Sequence, residues 1–405
     1  MTEQFDTARS PGADDRCTAA FIRDDGYFAY DLGGRHPMHP IRWQLTLRLA
    51  DQLGVLDGLT AARAQIASND VLCRVHSPDY VAAVMEASAE PGYVGYGMGT
   101  PDNPVFPAMH ESAALIAGGS VRAAELIAAG EVTHAVNIAG GLHHAMRGHA
   151  SGFCVYNDPA LAIDALLRNG FSRVAYLDVD VHHGDGVQAA FYADPRVLTI
   201  SLHESPRTLF PGTGYPDEIG ADPALGTAVN VALPAGTEDD GWHRAYHAVV
   251  PGLLRAFRPE VLVLQCGCDS HREDPLANLR LSVDGQRASY VEAHALAHEL
   301  CGGRLLALGG GGYGLVRVVP RAWTHLLAVV SGAPVDPHRE IPAAWEREAA
   351  QCGLSSAPPT SMTDGAVPDY RPWQPGSDDE VDRTIAATRR AVYPLHGLDP
   401  DDPRD

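Results

Sequence analysis

The chain has 405 residues, 45% of them apolar, and carries 51 acidic against 30 basic side chains, a formal charge of −21. That balance excludes a nucleic-acid-binding surface, which needs clustered cations, and suits either a cationic, lysine-bearing partner or a plain acidic surface. Every Lys/Arg position is an arginine, so a lysine nucleophile or Schiff base is excluded.

The opening Met-Thr-Glu-Gln-Phe-Asp lacks the basic-then-apolar pattern of a signal peptide. No run of 18 apolar residues suggests a membrane span. Seven scattered cysteines, with no Cys-x-x-Cys pair, point to reduced thiols and a cytoplasmic location. Residues 1–15 are polar and expected to be flexible. Ala19–Ile22 reads as a first strand, His36-Pro-Met-His-Pro40 as a stiff loop, and Arg42–Leu53 as a helix. Ser77 and Pro78 look like the N-cap and first position of another helix. The Gly- and Pro-rich stretch 91–107, with Asp102 at its centre, predicts a long surface loop, and 110–129 an Ala-rich helix.

Four apolar segments then share one plan, each a strand that ends in polar or glycine residues. They are 135–139 running into Gly140-Gly-Leu-His-His144, 174–177 into Asp178–Asp185, 260–265 into Cys266-Gly-Cys-Asp269, and 304–308 into Gly309-Gly-Gly-Gly-Tyr313. Helical stretches at 159–169, from Gln188, and at 240–257, 284–301 and 315–331 alternate with them. This order predicts a single doubly wound α/β domain, 16–335, around a mostly parallel sheet, whose carboxyl strand ends lie along one edge. Beyond 335 the character changes. Trp345 and Trp373 suggest an extension, 336–405, docked on the domain, with a helix at 376–392 and a disordered end at 399–405.

The densest chemistry is Asp178-Val-Asp-Val-His-His-Gly-Asp185, three Asp and two His in eight residues. Asp178, Asp180 and His182 fall at every second position, which in a strand places all three on one face. Asp178 would then lie about 13 Å from His182, so it supports a site whose ligands are Asp180 and His182. Ionisable groups in an apolar run need compensation, and a bound cation supplies it. With Asp269 the set becomes two carboxylates and an imidazole, three protein ligands that leave room for water and substrate. His143 and His144 offer bases that Asp178 and Asp185 can orient. Tyr313 can donate to an oxyanion. The chemistry implied is metal-assisted attack of water on an amide or ester. Mixed O/N ligands suit Zn²⁺, Fe²⁺ or Co²⁺.

Gly-Gly-Leu-His-His (140–144), Ser-Gly-Phe-Cys-Val-Tyr-Asn-Asp (151–158), Asp-Val-Asp-Val-His-His-Gly-Asp-Gly (178–186), Phe-Pro-Gly-Thr-Gly (210–214) and Leu-Gly-Gly-Gly-Gly-Tyr (308–313) resemble, in sequence and in order, the zinc-dependent histone deacetylase superfamily. Residues 100–110 and 387–399 look like its bacterial acetoin-utilization branch. The resemblance implies the arginase–deacetylase fold with an eight-stranded sheet, and Zn²⁺ on Asp180, His182 and Asp269. It implies His144 as general base and then acid, oriented by Asp185, His143 paired to Asp178, and Tyr313 polarising the acetyl carbonyl. It places Gly152, Phe153 and Phe210 on the substrate tunnel, and Asp102 and Leu276 on its rim. A structural K⁺ would sit on Asp178 and Ser201 with the carbonyls of Asp180, His182 and Leu202.

The substrate implied is Nε-acetyl-lysine on a protein, such as an acetyl-CoA synthetase; an acetylpolyamine is the alternative. His39, Leu209 and Gly314 depart from the family's usual residues near the rim and the inner cavity, so the substrate stays open. A dinuclear ureohydrolase-like site would want Asp-x-His-x-Asp, one residue shorter than Asp180–Asp185. A catalytically silent acyl-lysine module would lack a catalytic residue, and none is missing. His36, His39, His110 and His203 are read as structural, and the oligomeric state is left open.

Overall fold

The computed structural model describes residues 18–34, 36–90, 92–354 and 356–404. In chain order these form β1 (Ala19–Arg23), α1 (Ile41–Gln52), β2 (Thr60–Arg63), α2 (Asn69–Leu72), α3 (Pro78–Ala89), α4 (Met109–Ala128), β3 (His134–Asn137), α5 (Asp158–Arg168), β4 (Val174–Asp178) and α6 (Asp185–Phe191). There follow β5 (Val197–Glu204), β6 (Ala228–Leu233), α7 (Asp239–Phe257), β7 (Val261–Gln265), α8 (Val283–Cys301), β8 (Leu305–Leu308), α9 (Val319–Val330), α10 (Ala343–Gln351) and α11 (Glu380–Val392). The expected flexible segment 1–15 lies outside the described residues.

The eight strands pair in the order β2-β1-β3-β8-β7-β4-β5-β6, and every pairing is parallel. The sheet is thus wholly rather than mostly parallel. All residues of β3, β4, β5, β7 and β8 are buried, as near-continuous aliphatic strands require when helices cover both faces. One layer packs α4 against α3 and α5; the other runs α1, α9, α8, α7. Burying each Val, Leu or Ile of these strands contributes about 1.5–3 kcal/mol.

Local signals set the element ends. Ser77 accepts from the Tyr80 N–H with Pro78 in the first turn of α3, and Ser282 and Asp379 cap α8 and α11 in the same way. Three helices start elsewhere than expected. Helix α6 begins at Asp185, directly after Gly184, and not at 188. Helix α9 begins at 319 because Pro320 fits its first turn, and α11 at 380, behind its Asp379 cap.

Both sheet edges are managed. β2 is short and largely exposed, whereas β6 is covered by α11, whose Thr388 hydroxyl donates to the Asn230 carbonyl at 2.6 Å. The segment after 335 is docked: Trp345 is buried and its indole N–H donates to the Leu45 carbonyl. Residues 399–404 are not free, contrary to expectation. The Arg389 guanidinium, stacked on Trp373 and Tyr393, donates to the carbonyls of Asp399, Pro400 and Asp402. A buried cation with several carbonyl acceptors holds a polar chain end that composition alone marks as loose.

Candidate active site

The strands β3, β8, β7 and β4 are neighbours, and their register levels their carboxyl ends: Asn137 lies opposite Leu308, Leu308 opposite Gln265, and Gln265 opposite Asp178. The four expected endings therefore meet. The reason differs from strand alternation, because β4 ends at Asp178. Asp180 and His182 lie beyond it, in a turn pinned by backbone donors. The Asp180 N–H donates to Asp178 Oδ1, the Val181 N–H to Asp269 Oδ1, and the His182 N–H to Asp180 Oδ1.

Asp180, His182 and Asp269 are buried and present donor atoms that all lie within 4.8 Å of one another. His182 Nδ1 is 3.1 Å from both Asp180 Oδ1 and Asp269 Oδ2. Ligands at about 2.0 Å around a tetrahedral ion would be about 3.3 Å apart, so the set fits a small divalent cation. The electrostatics agree. Against burial, the His143 charge and the His182 contact hold Asp180 well below the usual carboxylate range. Burial and the Asp180 charge push Asp269 up to about 6. Against burial, the two carboxylates hold the His182 imidazole well above its ordinary value. The site draws positive charge to the point where its donors converge.

Glycines admit the ligands. A Cβ on Gly267 would come within 1.9 Å of Asp180, and one on Gly311 within 1.9 Å of Asp269. Two further donors orient Asp180 Oδ2, namely the Gly311 N–H at 2.8 Å and the Gln265 amide at 2.9 Å.

Behind this triad, His143 and His144 each face a carboxylate. His143 Nδ1 is 2.7 Å from Asp178 Oδ2, which also accepts from the Tyr176 hydroxyl. His144 Nδ1 is 2.7 Å from Asp185 Oδ1. The two Nε2 atoms lie 3.1 Å apart. Burial alone would lower His143, but Asp178 and Asp180 outweigh it and push the imidazole up to about 9. Burial and the His143 charge push His144 down to about 4. The two environments drive the protonation of these adjacent imidazoles in opposite directions.

Tyr313 ends the glycine loop, its N–H donated to Asp274 Oδ2. Burial, with the charges of Asp269 and Asp180, keeps its phenol protonated, so it remains a donor. Phe153 packs edge-on against Tyr313, with ring centroids 5.7 Å apart, and Phe210 against His144 at 5.0 Å. Both rings thus pack on residues that line the cavity, and Phe210 is 44% exposed. Gly152, at φ +50°, lies against the His144 ring, where a Cβ would come within 2.4 Å. Asp102 is exposed, and its carbonyl accepts from His36 Nε2, whose ring packs on Phe153. Thus His36, read as structural, ties Asp102 to Phe153. His203 is structural as expected, tied to Ser201 and the Gly214 carbonyl. Ser201 pairs with Asp178 across β4 and β5, followed by buried Leu202. Leu276, expected at the rim, is half-buried, and its N–H donates to Asp274 Oδ1.

Several residues escaped the sequence reading. Met38, Leu142 and Cys154 line the cavity. Buried Asp158 accepts from Ser120 and from the Gly141 and Leu142 N–H groups, fixing the loop before the histidines. Arg42, stacked on Trp43 and Trp323, donates to the carbonyls of Gly310 and Gly312. The one available signal was an arginine within an otherwise apolar helical stripe.

The Histone deacetylase domain family matches residues 36–330. The chain is 40% identical over 382 residues to the "Acetoin utilization protein AcuC" of Bacillus subtilis (strain 168), covering 93% of this chain and 97% of that protein. It is 36% identical over 320 residues to the protein of that name from Staphylococcus aureus (strain MSSA476), covering 78% and 82%. With that of Staphylococcus xylosus the figure is 34% over 333 residues, covering 81% and 86%. The chain belongs to the histone deacetylase family, a hydrolytic deacetylase built on the arginase–deacetylase fold. Within the family it falls in the AcuC branch. Among the described residues no helix is long and apolar enough to cross a membrane.

Proposed function

We propose that this protein hydrolyses the acetamide of Nε-acetyl-lysine on proteins in the cytoplasm, using one divalent ion held by Asp180, His182 and Asp269. The observation that supports it most is the convergence of that donor triad with two carboxylate-backed histidines. Zn²⁺ fits the mixed donors, with Fe²⁺ and Co²⁺ as alternatives. When bound, the ion supplies Lewis acidity toward the acyl oxygen and acidifies water.

The chain's own groups do the rest. Asp185 accepts from His144 Nδ1–H, which leaves the Nε2 lone pair to take a proton from the attacking water. The carbonyl carbon gains the water oxygen, the C–N bond breaks, and the same proton passes from Nε2 to the leaving lysine nitrogen. The Tyr313 hydroxyl donates to the oxyanion as it forms. Cationic His143, anchored on Asp178, adds positive charge beside it. Phe153 and Phe210 flank the acyl-lysine stem, and the Asp102 carboxylate at the rim accepts from substrate backbone N–H groups. Asp178 and Ser201, with neighbouring carbonyls, would hold a structural K⁺ behind the site.

The test compares kcat/KM on acetyl-lysine peptides and acetylputrescine, before and after metal removal. Peptide turnover that chelation abolishes supports the reading; preference for the small amine overturns the substrate, and turnover without metal overturns the ion. His144→Ala should lower kcat by about 10²–10⁴. Peptide binding without any turnover would make the protein an acyl-lysine binding module.

A further inference from the structure

At the other end of the sheet a second set of donors converges. His134 is the first residue of β3, opposite Ala19 and Leu305, the first residues of β1 and β8. It therefore sits at the amino ends of the strands, away from the active site. His294 and His298 stand four residues apart on α8 and so share one face of that helix. The ring centroids are 4.7 Å apart for His134 and His294, 5.2 Å for His134 and His298, and 4.6 Å for His294 and His298. One ring nitrogen of each lies within 4.8 Å of the other two.

The tautomer of His134 is fixed. Its Nδ1 is 2.8 Å from the Val330 carbonyl oxygen. A carbonyl only accepts, so Nδ1 carries the hydrogen, and in the neutral ring Nε2 is the nitrogen that can ligate. A backbone carbonyl on one ring nitrogen is the support that metal-ligating histidines use. His294 Nε2 is buried and has no hydrogen-bond partner among the described residues. Packing alone leaves a buried polar atom without a partner, which is unfavourable. A cation accepting lone pairs from all three rings removes that cost. Three imidazole donors select a transition-metal ion over Mg²⁺ or Ca²⁺. His294 and His298 are half-buried, which leaves a solvent side for entry and for a water as fourth ligand.

We propose that His134, His294 and His298 form a second divalent transition-metal site, for which Zn²⁺ fits, that ties α8 to the start of β3. It acts on stability and not on catalysis. Metal binding to the folded chain alone shifts unfolding toward higher temperature.

The experiment loads the full-length, metal-stripped protein with Zn²⁺, dialyses it, and counts zinc per chain for wild type, His294→Ala and His298→Ala, with thermal melts alongside. Each variant should lose one zinc per chain relative to wild type, lose part of the zinc-induced rise in Tm, and keep deacetylase activity within about twofold. The same zinc content in wild type and both variants overturns the site. The criterion is a difference, so it is separable from the catalytic reading. If the active site held no zinc, wild type would carry one fewer and the variants would still fall by one. His182→Ala serves where a helix variant fails to fold. With the active site disabled, X-ray absorption at its remaining zinc should report three imidazole nitrogens, and fewer than three would overturn the assignment.

Discussion

Gly152→Ala probes the positioning of His144 without touching a metal ligand. The added Cβ would sit 2.4 Å from His144 Cδ2 and 2.8 Å from Cγ, about 1 Å inside ordinary carbon contact. The backbone is poorly placed to yield, because the Tyr30 hydroxyl donates to the Phe153 carbonyl at 2.7 Å and accepts from the Val155 N–H. The ring must therefore move by about 1 Å, away from the 2.7 Å contact with Asp185. A misplacement of that size costs about 10²-fold in rate. The left-handed φ of +50° adds about 1–2 kcal/mol of strain for alanine, enough to lower Tm but not to unfold the protein. Steady-state kinetics on an acetyl-lysine peptide, zinc content and a thermal melt together read the outcome. The expected result is kcat down about 10²-fold with zinc content unchanged. A kcat within threefold of wild type would refute the claim that this glycine seats the base.

Gly311→Ala should do the opposite. Its Cβ would displace the Asp269 carboxylate, so zinc content should fall along with activity, and full occupancy by metal analysis would count against the donor triad. Tyr313→Phe should lower kcat by about 10²–10³ with little change in KM if the hydroxyl serves the oxyanion; an unchanged kcat would remove it from the mechanism. Burial, opposed by the Ser120, Leu142 and Gly141 hydrogen bonds, pushes Asp158 up to about 6. A carboxyl raised in the folded state contributes stability that is present below about pH 4 and lost as pH rises through 6, on the order of 3 kcal/mol. Urea denaturation across that range should show this slope in wild type and not in Asp158→Asn; equal slopes would refute it.

The strand ends and most of the site were legible because their signals are local. Asp178–Asp185 packs its acids and histidines into one short run, and Gly140–His144 and Gly309–Tyr313 announce themselves by glycine. The reason offered for bringing Asp180 and His182 together, strand alternation, does not hold, although the two side chains do meet. Alternation ceases at Asp178, and the turn that aims the ligands is set by Val181 donating to Asp269, a contact 88 positions away. Gln265, Asp158 and Arg42 were illegible for the same cause. Each acts through partners brought near only by the finished sheet, as when Arg42 reaches Gly310 across 268 positions. The His294 and His298 spacing on α8 was readable, but His134 joins them from another strand.

The resemblance alone assigned different parts to the two adjacent histidines, and the structure gives their surroundings a physical difference. His143 leans on Asp178, which is wholly buried, and lies 4.0 Å from Asp180, so two carboxylates favour its charged form. His144 has Asp185 alone, and the charge on His143 beside it disfavours a second proton. Groups in one site whose environments drive their protonation apart divide the acid and base work between them. The imidazole driven toward its neutral form is the one packed against Phe210 and Gly152, the one proposed as the base. A like-charged neighbour thus keeps His144 free to accept a proton, and the adjacency of the two histidines is itself the device that separates their roles.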